Sequence, residues 1–153
     1  MTKKVLGKNQ RQYVYLDYAA TTPMDTNVFE TMLPYLQDRN LQGNPSSLHS
    51  VGRLAKAGLD ESRNIVARTL GVREDEVIFT GSGTESDNLA LVGVARAYGH
   101  KGKHIIVSAI EHKAILETAN ALKKEGFSIS FVPVSKNGVV NTEKLLSLVR
   151  PDT

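Results

Sequence analysis

Glu76–Gly93 reads EVIFTGSGTESDNLALVG, a short apolar run that breaks into glycine and hydroxyl residues and resumes as an apolar helical pattern. The spacing predicts a buried strand over Val77–Thr80 that turns tightly through Gly81, Ser82, Gly83 and Thr84 into a helix. A turn of this kind presents unpaired backbone N–H groups and the positive end of the helix dipole, which together bind phosphate. The glycines let the backbone come close to a ligand, and the hydroxyls of Ser82 and Thr84 are candidates to donate to phosphate oxygens. The turn alone names no molecule.

Alternation of strand and helix continues from this turn toward the C-terminus. The helix after Thr84 is apolar nearly all round through Leu89, Leu91, Val92 and Val94, so burial on several sides is expected. His104–Val107 repeats the strand pattern, Ile115, Leu116, Ala119 and Leu122 repeat the helical one up to Gly126, and Phe127–Val132 is a third strand. Asn137-Gly138 marks a turn, and Thr142–Val149 opens another helix. On the other side, Val28, Phe29, Met32, Leu33 and Leu36 fall at helical spacing, with Pro34 expected to kink or end that helix. The loop LQGNPSSLH, residues 41–49, leads into a long amphipathic helix over Ser50–Leu70, stopped by Gly71. Residues 1–12 read as a loose polar lead-in.

Strands alternating with helices imply parallel pairing in an α/β layer fold. Three strands flanked by several helices leave open sheet edges and an uncovered apolar face, so part of a larger domain is expected. The 153 residues are 41% hydrophobic and 23% charged, ordinary for a globular protein, and the net charge of +3 is scattered rather than striped. Neither a nucleic-acid-binding nor a membrane-surface pattern is present. No apolar run reaches the length of a membrane span, and the basic start lacks the apolar region of a signal peptide, so an intracellular, cytoplasmic protein is expected. The chain has no cysteine, which removes disulfides, thiolate metal sites and a catalytic thiol from it.

A second candidate site is SAIEHKAI, Ser108–Ile115, at the carboxyl end of a predicted strand, where ligands bind in α/β sheets. His112 and Thr84 are thus candidates to face one ligand. On this segment alone the plainer reading is favoured: Ser108 or Glu111 caps the helix, and His112 is a polar residue in its first turn. GNPSSLH equally suits a turn followed by a helix cap, and Asp17 suits a satisfier of nearby backbone donors. His49, His100 and His104 show no metal-ligand spacing, and no metal site is expected.

The combination is more specific than its parts. LDYAATTP near the N-terminus, GNPSSLH at 43–49, VIFTGSGTESDNLAL at 77–91 and SAIEHKAI at 108–115 resemble, in order and spacing, the class V aminotransferase family of pyridoxal-phosphate enzymes. The form TESDN at 84–88 is most similar to the cysteine desulfurases of the NifS and IscS type. The resemblance covers the chain from Tyr13 onward and implies, for 13–153, the N-terminal portion of the large domain of a fold type I transferase. That domain is a sheet with helices on both faces, and it is incomplete in this chain.

By that resemblance Gly83 and Thr84 bind the cofactor phosphate, with Ser82 beside them, and His112 stacks on the pyridine ring and assists proton transfer. More weakly, Ala19, Ala20, Thr21, Asn44 and Ser46 match segments near the substrate entrance. The order Gly81-Ser82 departs from the Ser-Gly of several members, which leaves the Ser82 hydroxyl without a matched role. The family's Schiff-base lysine and persulfide-forming cysteine match nothing here, and Lys113, in the histidine motif, is expected to point elsewhere. The implied reaction is L-cysteine to L-alanine with an enzyme persulfide, supplying sulfur for iron–sulfur clusters or thiolation.

The same resemblance implies pyridoxal 5'-phosphate as cofactor, a homodimer, a sulfur acceptor or scaffold as partner, and a C-terminal half or split partner chain that completes the site. The chain alone is expected to be inactive. The alternatives are a non-catalytic remnant or interaction module of the same fold, and a related class V enzyme such as a selenocysteine lyase.

Overall fold

The computed structural model describes residues 14–153, which divide into two compact units, one ending at Val77 and the other spanning Ile78–Thr153. The expected lead-in over residues 1–12 lies outside the described residues.

The first unit holds two helices, α1 (Thr26–Gln37) and α2 (Ser50–Leu70), followed by a 3-10 turn at Glu74–Glu76. Helix α1 starts where the Asp25 side chain accepts the Asn27 N–H at 2.8 Å. Pro34 lies inside it, and the helix ends three residues later, where the Asp38 N–H donates to the Pro34 carbonyl. Gly71 ends α2 in a left-handed conformation with φ 68°, and its N–H and that of Val72 close onto carbonyls of the last turn. Gly58 brings the two helices close, since a Cβ there would meet the Tyr35 hydroxyl at 2.7 Å.

The second unit is an α/β arrangement: α3 (Gly83–Tyr98), β1 (His104–Ser108), α4 (Lys113–Lys124), β2 (Ser128–Val132) and α5 (Thr142–Ser147). β1 and β2 pair in parallel, with His104 opposite Ser128 and Val107 opposite Phe131, and α4 makes the crossover that parallel pairing requires. Helix α3 packs on α4. Ala95, Leu122 and Phe127 form the buried cluster between helices and sheet, with Leu91, Ile105 and Ile129 against it. His104 is buried at the head of β1, with Nδ1 at 2.8 Å from the Thr153 hydroxyl and Nε2 at 2.8 Å from that of Ser130. Two hydroxyls, each able to donate or accept, satisfy both ring nitrogens.

Three expectations are corrected. Val77–Thr80 forms no strand, and Ile78 and Phe79 are 68% and 47% exposed. A strand is held by a neighbour's backbone groups, and among the described residues the two strands of the sheet pair with each other. Helix α3 likewise buries Ala95 alone, leaving Leu89 and Val94 exposed, because α4 covers a single face of it. The last helix stops at Ser147 rather than Val149, where the Leu148 and Val149 N–H groups close onto the carbonyls of Leu145 and Leu146 in a tighter turn.

Arg96 of α3 and Glu125 at the end of α4 form a two-point pair, with Nε at 3.2 Å and Nη2 at 2.9 Å from the carboxylate oxygens. The hydrogen-bonded guanidinium holds the Glu125 carboxyl below its usual range. A lowered carboxyl contributes stability above the ordinary glutamate value and loses it as pH falls through the lowered one. The advantage of the wild type over Glu125→Gln, small because the pair is exposed, is therefore expected to shrink on acidification in urea unfolding. A gap that widens toward acid pH would contradict this sign. Leu122, 1% exposed at the centre of the cluster, is expected to cost roughly 2–5 kcal/mol as Leu122→Ala. A cost under about 1 kcal/mol in the same measurement would show that the cluster does not carry the unit.

Candidate functional site

Helix α3 begins at Ser82, whose backbone is extended and whose Oγ accepts the Glu85 N–H at 3.2 Å. The Glu85 carboxylate folds back to accept the Gly81 N–H at 2.7 Å, a reciprocal clasp of the capping-box kind. Thr80 tightens the turn by donating to the Ser82 carbonyl at 3.1 Å and lying 2.6 Å from the Ser86 hydroxyl. Two of the turn's N–H groups are thereby occupied. Gly83 and Thr84 open the helix, and their N–H groups have no acceptor within it. A Cβ on Gly83 would meet nothing within 4 Å, so the space over that backbone is open. Open N–H groups at the positive end of a 16-residue helix, beside the Thr84 hydroxyl, fit a phosphate dianion. Ser82 Oγ is already an acceptor in the cap and still has its proton to donate.

His112 is not a first-turn residue of α4 but its N-cap, so the capping expected of Ser108 or Glu111 is corrected. Its Nδ1 accepts the Ala114 N–H at 3.1 Å, while Ser108 Oγ accepts from Ile110 in the preceding turn. An acceptor nitrogen carries no proton, so in the neutral ring the proton sits on Nε2. The cap therefore fixes both the ring's position and its tautomer.

One shallow cavity of about 450 Å³ in the second unit is lined by Thr84, Asn88, His112, Lys113, Glu117 and Thr118, among others. The two principal candidates from separate motifs are thus brought together. Lys113, expected to point elsewhere, borders the same cavity because it opens α4 directly after the cap. Asn88 and Thr118 were not anticipated. Thr118 Oγ1 donates to Asn88 Oδ1 at 2.6 Å, and Asn88 Nδ2 donates to the Thr84 carbonyl at 2.8 Å. The helical spacing of Asn88 from Thr84 was a readable signal; the burial of Thr118 was not.

Ala19, Ala20, Thr21, Asn44 and Ser46 belong to the first unit. There the Asp17 carbonyl accepts the Ala20 and Thr21 N–H groups at 3.1 and 3.3 Å. Asn44 Oδ1 accepts the Ser46 N–H at 2.9 Å, and the helix that follows is capped by His49 through Nδ1. Among the described residues no cluster of three or more His, Cys, Asp or Glu is placed to hold a metal ion, and no helix is long and apolar enough to cross a membrane.

The sequence pattern of the aminotransferase class-V family matches residues 14–153. This chain belongs to that family. It is 47% identical over 143 residues to the cysteine desulfurase IscS of Dictyoglomus turgidum, covering 94% of this chain and 36% of the relative. Against the IscS of Methanosarcina thermophila it is 44% identical over 144 residues, covering 94% of this chain and 35% of the relative. Among solved structures a NifS-like protein superposes with a TM-score of 0.85 at 41% identity, over 92% of this chain and 38% of that one. SspA in complex with cysteine gives 0.82 at 34% identity, over 91% and 40%. The chain thus spans little more than a third of the curated relatives it matches. The resemblance to NifS- and IscS-type proteins, and the expected α/β fold of a pyridoxal-phosphate transferase domain, are borne out.

The cap at Ser82 is directly measurable. Ser82→Ala is expected to destabilise the protein by about 1 kcal/mol and Ser82→Asp to restore most of that in chemical denaturation. Equal loss in both variants would show that the Ser82 oxygen does not cap α3.

Proposed function

We propose that this chain supplies one wall of the active site of a pyridoxal-phosphate-dependent cysteine desulfurase. The observation that carries the reading is the shared cavity: Thr84, beside the open N–H groups of α3, and His112, at the cap of α4, border one space. The N–H groups of Gly83 and Thr84 and the Thr84 hydroxyl hold the phosphate. The Ser82 hydroxyl proton lies next to them as a further donor. His112 meets the ring with Nδ1 tied to the backbone, so Nε2 is the ring atom that holds the proton and is left to donate it in a hydrogen bond. Pyridoxal phosphate supplies the electron sink for cleavage at the substrate carbon.

The overall change is L-cysteine plus a protein thiol giving L-alanine plus a protein persulfide. The chain contains no cysteine, so in this reading that thiol comes from polypeptide outside these residues; the Schiff-base lysine is assigned there too, which would leave residues 1–153 inactive alone. A homodimer, a sulfur-accepting partner and a cytoplasmic setting accompany this reading. Support comes from the IscS relatives and from the chemistry of the donors, which suit a dianion at one end of the cavity and a proton carrier at the other.

The test is titration of the intact protein with pyridoxal phosphate, followed by the absorbance of the bound cofactor. Thr84→Ala and His112→Ala are each expected to weaken binding by about tenfold or more. Borohydride fixation with peptide mapping is expected to place the pyridoxyl group on a lysine outside residues 1–153. Unchanged binding in both variants, or a pyridoxyl group on Lys113, would falsify the assignment.

A further inference from the structure

We infer that Asn88, locked by Thr118, is a positioning residue that fixes Thr84 against His112. The inference rests on the site proposed above and concerns residues that need not touch the cofactor themselves. Thr84 stands on the first turn of α3, and His112 stands at the start of α4, so the distance between them is set by how the two helices dock. Apolar packing between α3 and α4 is concentrated toward the other end of α3, around Ala95 and Leu122. Arg96–Glu125 lies at that same end. Near the site the polar tie between the helices is Asn88–Thr118.

The tie has direction and chemistry. Asn88 uses both ends of its amide: Nδ2 donates to the Thr84 carbonyl at 2.8 Å and Oδ1 accepts from Thr118 Oγ1 at 2.6 Å. Thr118 is 6% exposed, so its hydroxyl has little water to turn to and is held to this partner. One helical turn before Thr118 lies Ala114, whose N–H holds the His112 ring. A continuous path of hydrogen bonds and helix backbone thus runs from Thr84 through Asn88 and Thr118 to His112. An aspartate at 88 lacks the donor for Thr84, and a valine at 118 lacks the proton for Asn88, so both halves depend on residue chemistry and not on bulk alone.

The test uses the intact protein and its affinity for pyridoxal phosphate, read by absorbance titration. Asn88→Ala and Thr118→Val are each expected to weaken binding by about tenfold, whereas Thr118→Ser, which keeps the hydroxyl, stays within about twofold of wild type. In a Thr84→Ala/His112→Ala background the added loss from Asn88→Ala is expected to be clearly smaller than in the wild type, because the Thr84 hydroxyl and the His112 ring are gone and only the Gly83 and Thr84 N–H groups remain to be positioned. A generally destabilising change would instead carry its full loss into that background. Binding within twofold of wild type for Thr118→Val, a near-isosteric change that keeps the packing, overturns the positioning role. If Thr84→Ala and His112→Ala still weaken binding, the proposed site survives that result. If those two variants bind normally as well, the site and the positioning role fall together.

Discussion

The packing of α3 on α4 over the parallel pair β1–β2 is the constraint on which the second unit depends. Leu122 and Phe127 close against Ala95, and that contact brings together two segments that are separate in the chain. Each segment ends in a helix start, and a helix start is where backbone N–H groups are left without partners. Docking two such starts beside one cavity gathers donors without any buried charge. The polar side chains buried in the described residues all have partners, so the donors left open at the site are backbone N–H groups and not buried side chains.

The two helix starts are filled differently, and the difference matters for chemistry. At α3 the Glu85 carboxylate takes the Gly81 N–H, and Ser82 takes the Glu85 N–H, which leaves Gly83 and Thr84 as the open donors. A carboxylate this close to an anion site opposes a phosphate by charge, yet it also holds the turn in shape. The proposed phosphate fit is compatible with it, because the space over Gly83 is clear while the carboxylate is engaged at the Gly81 N–H.

Much of this order was legible in the sequence. Gly71 reads as a stop because a left-handed φ of 68° suits glycine, and the apolar runs at His104 and Phe127, which read as strands by their pattern, form them because they pair with each other. Val77–Thr80 has the same apolar character but no neighbour to pair with among the described residues, and periodicity carries no information about partners. The site was half legible. Thr84 and Gly83 follow from a glycine-rich turn before a helix, and His112 from its motif. Its capping role escaped notice because histidine is outside the usual Ser, Thr, Asp and Asn set, although His49 caps α2 in the same way. Thr118 escaped because a hydroxyl in a helix reads as a neutral surface residue until its burial is known.

Using histidine as a cap has a consequence that a serine or aspartate cap would lack. The Ala114 N–H needs a lone pair on Nδ1, so the backbone of α4 selects the tautomer with the proton on Nε2. That bond belongs to the first turn of α4. The same turn carries Lys113 at its first position, and Thr118, which holds Asn88, lies further along the helix. In the proposed site the neutral ring offers its Nε2 proton, and it must stay in place to do so. Here its position is held from two sides: the backbone of α4 fixes the ring, and the Asn88–Thr118 bond ties α4 to the helix that carries Thr84.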